Sequence, residues 1–66
     1  MNTVIEQWRI NNYTVLFLDQ YVPTGEYRFF MIGGVKYEPI PIYDIRNAIA
    51  IQEEGNFVGK HVDYIM

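Results

Sequence analysis

Short runs rich in β-branched and aromatic residues, broken by glycine, proline and polar clusters, organise this chain from Tyr13 onward. The run YTVLFLDQYV, residues 13–22, is dense in strand formers and too polar at Asp19-Gln20 for a buried helix. It ends at Pro23-Thr24-Gly25, where proline presets φ and glycine takes positive φ, so a turn with a glycine bulge is predicted. The next run, EYRFFMI (26–32), meets Gly33-Gly34, and two glycines between strand-like runs predict a two-residue hairpin turn with positive φ at both. Pro39 and Pro41 forbid a helix after that turn, which removes a phosphate-cradling reading of the glycines, and they place 38–42 on an edge or bend. Further on, 43–47 predicts a turn or a single 3₁₀ turn, Ala48 to Ile51 a short buried strand, and 52–56 a polar loop. Gly59 marks a bend, and His61 to Ile65 a closing strand.

Two readings compete for the N-terminus. Thr3 and Glu6 fit an S/T-x-x-E capping box, which predicts a short helix with Val4, Ile5 and Trp8 on one face. The alternative is a strand from Val4 to Ile10 that turns at Asn11-Asn12.

The two predicted turns imply a three-stranded meander. Across Gly33-Gly34, Ile32 faces Val35 and Phe30 faces Tyr37; across Pro23-Thr24-Gly25, Leu18 faces Phe30 and Leu16 faces Ile32. One face then carries Leu16, Leu18, Phe30, Ile32, Val35 and Tyr37 as a core. Because side chains alternate across a strand, the other face carries Val15, Phe17, Tyr21, Tyr27, Phe29, Met31 and Ile40. Interrupted only by Asp19, Lys36 and Glu38, it is largely apolar too, and an antiparallel sheet with one solvated face should not be. The C-terminal apolar residues cover one face, and the N-terminal segment or a second polypeptide covers the other. The resulting expectation is a mainly β, five-stranded antiparallel domain. It would form a small, partly open barrel of SH3-like or OB-like architecture, with or without a short N-terminal helix.

Composition sharpens this. Half of the 66 residues are hydrophobic and 17% are aromatic, while leucine and alanine are scarce. A chain of this length is one domain that buries only about 60% of its unfolded surface. It has no cysteine, so packing or oligomerisation must supply its stability. The absence of cysteine, of a signal-peptide pattern and of a long apolar run predicts a soluble, cytoplasmic protein.

Charge and residue types narrow the chemistry. The net charge is −3, with five scattered basic residues, which disfavours a general nucleic-acid binder. A single histidine, His61, and no cysteine make a poor metal site. Serine is absent, and the adjacent Glu53-Glu54 pair gives no reason for the divergent environments that acid–base catalysis needs. A chain this short also cannot easily hold the ~300 Å³ pocket typical of ligand sites. No enzyme activity, cofactor or metal is expected. What remains is a protein-binding module, self-associating or a small inhibitor of the phage type that occupies a host protein. Its candidate interface is Trp8, Phe17, Tyr21, Tyr27, Phe29 and Met31, residue types enriched at interface centres. The alternative is single-stranded nucleic-acid binding by aromatic stacking, with Arg28 and Lys36 near the backbone.

Overall fold

The computed structural model describes residues 2–22, 28–42 and 44–65. They form one open antiparallel sheet and, among the described residues, no helix. Its strands are β1 (Asn2–Ile10), β2 (Tyr13–Leu18), β3 (Phe29–Ile32), β4 (Val35–Tyr37), β5 (Ile40–Pro41), β6 (Ala48–Ile51) and β7 (His61–Ile65). Six run to three residues or more, and β5 is a two-residue edge. The order across the sheet is β4-β3-β7-β1-β2-β6-β5.

Chain connectivity forces this sheet to curl. Laid flat, seven strands at ~4.8 Å spacing would hold β4 and β5 about 29 Å apart. Yet only Glu38 and Pro39 separate them, and three Cα steps reach at most about 11 Å. The two outermost strands are therefore brought close by the covalent chain, with no ladder between them. β1 is the corner of the curl: Asn2 and Thr3 pair with Val62 and His61, while Val4 to Ile10 pair with β2. A bulge at Ile5 follows one residue after the switch, as bulges do where a strand bends.

The curl lets one face of the sheet pack on itself. Val4, Leu16, Leu18, Val22, Phe30, Ile32, Ile49, Ile51, Phe57 and Val62 form the buried cluster, with Tyr37 and Tyr64 packed against it. The expected core residues Leu16, Leu18, Phe30 and Ile32 are all in it. Val35 is a correction. It sits opposite Ile32 as expected but is 54% exposed, because β4 is an outer strand with a neighbour on one side only.

Three further expectations are overturned. The N-terminal segment is a strand, so the capping-box helix is wrong. The alternative turn at Asn11-Asn12 is the one realised, with Asn11 at φ 54, a conformation that asparagine tolerates better than most residues. The strand count also exceeds five, because β1 joins the sheet and Ile40–Pro41 forms an edge of its own. The meander is wrong as well. Leu18 faces Val4 and Leu16 faces Gln7 and Ile49, whereas Phe30 faces Tyr37 and Tyr64. β2 cannot run straight into a hairpin because the chain is drawn aside after Leu18. Asp19 donates its N–H to the Thr3 carbonyl, and Val22 donates to that of Arg46. The predicted turn at Pro23-Thr24-Gly25 lies outside the described residues.

The Gly33-Gly34 corner is as predicted, with φ of 58 and 85. A Cβ on Gly34 would meet nothing within 4 Å, so any cost of substitution there is backbone strain alone. Gly34→Val is expected to lower stability by about 1–2 kcal/mol, and Gly34→Asn by clearly less. Paired urea titrations check this, and equal midpoints for the two variants would refute the strain argument.

Candidate functional site

Directly opposed residues of an antiparallel pair share a face, so register assigns the outer surface. Trp8 opposes Val15, Val15 opposes Ala50, and Ala50 opposes Ile40, one row across β1, β2, β6 and β5. A second row runs Glu6, Phe17, Ala48, and Ile10 opposes Tyr13 at the hairpin end. Every member but Glu6 is apolar or aromatic. Trp8 is 56% exposed, and Ile10, Tyr13 and Ile40 are exposed as well, as is the bulged Ile5. The Trp8 ring meets Phe17 edge-on at 6.1 Å, and its indole N–H donates to Glu6 Oε2 at 2.6 Å. These contacts hold the indole in place without hiding it.

The inner side of the same hairpin is polar toward its turn. The Thr14 hydroxyl is buried, donates to the Glu53 carbonyl at 2.6 Å and accepts from Arg9 Nη1 at 2.8 Å. Gln7 donates to the Gly55 carbonyl and accepts from the Phe57 N–H, both at 2.6 Å. Arg9 also forms an ion pair with Glu54 at 3.4 Å. These side chains fasten the loop 52–57 to β1. Glu54 is thereby used structurally.

The expected interface residues fall on separate surfaces. Trp8 and Phe17 lie together on the outer face just described. Phe29 and Met31 lie on β3, half-buried, opposite Ile65 and Asp63 of β7. Lys36, opposite Met31, holds its Nζ 4.0 Å above the Phe29 ring. Tyr21 is 72% exposed in the segment after β2, and Tyr27 lies outside the described residues. Of the two candidate nucleic-acid contacts, Lys36 is engaged with Phe29, and Arg28 is exposed just before β3. The sequence reading merged the two surfaces because it paired β2 with β3. Reading Asn11-Asn12 as the hairpin turn would have put Trp8 opposite Val15 instead.

One surface groove of about 300 Å³ is lined by Glu38, Pro39, Ile40, Gln52 and Glu53, so a space of that size does form on this short chain. It brings together two carboxylates that lie far apart in sequence, a juxtaposition the linear pattern did not reveal. Among the described residues its lining holds no histidine, hydroxyl or cation. His61 is exposed and lies 3.4 Å from the Thr3 hydroxyl through Nδ1. Among the described residues, no group of three or more His, Asp or Glu is arranged to hold a metal ion, and no helix could cross a membrane.

Set against known proteins, the chain matches no family model, no curated protein and no solved structure. Its surface chemistry is then the guide to function.

Proposed function

We propose that this protein is a non-enzymatic protein-binding module that acts through the outer face of β1, β2, β6 and β5, centred on Trp8. The observation that carries this reading is the Trp8–Val15–Ala50–Ile40 row, flanked by exposed Ile10 and Tyr13. Exposed apolar side chains gathered on one face of a small domain, here Trp8, Ile10, Tyr13 and Ile40 around half-buried Val15 and buried Ala50, mark interaction sites, and tryptophan and tyrosine are enriched among binding anchors. We read the curled sheet as a partly open barrel of SH3-like or OB-like type. The two-residue link between its outer strands supports that reading. A cytoplasmic homo-oligomer and a stoichiometric inhibitor of the phage type are both compatible modes of action for such a surface.

The test is capture from lysate by tagged wild-type protein and by Trp8→Glu, each over a series of salt concentrations. Wild-type capture should persist at high salt, because apolar contact is weakly screened. Trp8→Glu should lose at least about tenfold, as loss of an aromatic anchor does. Unchanged capture by Trp8→Glu would overturn the reading. Capture that collapses with salt and brings down nucleic acid would establish the stacking alternative in its place.

A further inference from the structure

β1 is the longest strand, yet on its β7 side backbone bonding ends at Val4: Asn2 and Thr3 pair with β7, and Val4 bonds to Lys60 and Gly59 just before it. From Glu6 to Ile10 it pairs with β2 alone. Ile10 and Tyr13 close a two-residue turn, which makes them a hydrogen-bonded pair, and such pairs recur at alternate positions, Trp8–Val15 and Glu6–Phe17. The intervening residues, Gln7 and Arg9, therefore direct their N–H and C=O groups away from β2. Among the described residues no backbone hydrogen bond reaches those groups from the other side. It is the side chains of Gln7 and Arg9 that hold the neighbouring loop. No proline interrupts the segment, and its protection consists of the charged Glu6 and Arg9, the Ile5 bulge and the loop held by side chains alone.

We propose that this edge pairs with the same edge of a second copy, antiparallel about a two-fold axis at Trp8. The inference rests on the protein-binding reading and names its occupant. Gln7 of each copy lies opposite Arg9 of the other, forming two hydrogen-bonded pairs that exchange two bonds each. Trp8 meets its own copy at a position without backbone hydrogen bonds, where Cα atoms are about 4.5 Å apart and side chains are closest. Glu6 faces Ile10 of the other copy. Sliding the register toward the turn sets Arg9 opposite itself, and like charges directly opposed are unfavourable. Sliding it the other way runs the pairing into the bulge at Ile5. The Trp8-centred register avoids both. It also makes the outer faces of the two copies continuous, which is the isologous arrangement commonest among small oligomers.

The contact is small. Trp8, 56% exposed and about 250 Å² in full, offers roughly 140 Å² per copy. An edge contact of this size falls below the ~1,200 Å² of standard interfaces, so the dimer is expected to form with rising concentration.

The absence of native cysteine makes the register testable. Trp8→Cys places one thiol per chain on the two-fold axis, where opposed Cβ atoms lie about 4.5–5.5 Å apart, near disulfide reach. Val35→Cys, equally exposed but on outer strand β4, is the control. Mild oxidation should give covalent dimer much faster for Trp8→Cys, with dichroism verifying the fold of both. Wild-type sedimentation should pass from monomer to dimer between low micromolar and near-millimolar concentration, and Trp8→Arg should stay monomeric. A wild-type protein that is monomeric throughout overturns self-pairing while leaving the salt-series capture to judge protein binding. A wild-type dimer whose Trp8→Cys form cross-links no faster than the control overturns the edge geometry.

Discussion

Phe30→Ala is expected to leave most of the chain unfolded at 37 °C. Phe30 is fully buried at the middle of β3, between Tyr37 on one side and Tyr64 on the other, with the Tyr64 ring edge-on at 4.9 Å. Truncating a buried phenylalanine costs about 3–5 kcal/mol. A chain of 66 residues has about 3–10 kcal/mol in total at ~0.05–0.15 kcal/mol per residue. One side chain thus holds a third of that stability or more. Phe30→Leu, which keeps most of the volume, should cost under about 1.5 kcal/mol. Thermal denaturation followed by dichroism separates the two. At about 4–8 °C per kcal/mol for a domain this small, the alanine variant should melt more than about 15 °C below wild type. A shift of a few degrees would mean that β3 is not the centre of the core.

Asn2→Ala is expected to cost about 2–4 kcal/mol, a large loss for a residue at the start of a strand. Asn2 is 2% exposed and makes four hydrogen bonds. Its Oδ1 accepts from the N–H groups of Thr3 at 3.1 Å and Gln20 at 3.0 Å, and its Nδ2 donates to the Gln20 carbonyl at 3.1 Å and to the Tyr64 hydroxyl. One amide joins β1, the segment leaving β2, and β7. Alanine would strand several partners, and each buried polar group left without a partner costs about 1–3 kcal/mol. Guanidinium denaturation gives the number. A midpoint within error of wild type would show that water or a rearranged Gln20 takes over the bonds.

Sequence reasoning succeeded where local chemistry decides the outcome. Gly33-Gly34 lies between two strand formers, and its turn, register and positive φ follow from that neighbourhood alone. Ala48–Ile51 and His61–Ile65 were recognisable for the same reason. It failed where distant residues decide. Thr3 and Glu6 have the pattern of a helix cap, but pairing with β2 and β7 outweighs a local preference of about 1 kcal/mol. The separation of β2 from β3 depends on Thr3 and Arg46 carbonyls that capture the chain after Leu18, and no short window contains those partners. The candidate interface inherited that error. Trp8 and Phe17 meet as neighbours on one surface, while Phe29 and Met31 lie on another with Lys36 over the ring.

The corner role of β1 also bears on how the chain reaches this state. Asn2 pairs with Val62 and Thr3 with His61, so the first strand is completed by the last. Closing so long a stretch of chain is entropically costly before any contact rewards it, and such non-local pairing slows folding. The β1–β2 and β3–β4 hairpins can form early from neighbouring residues, but β3 has only β4 beside it until β7 arrives. The N-terminal hairpin finds β6 beside β2 first, and only the last strand ties β1 to β3. The halves of the sheet then close in a single late step.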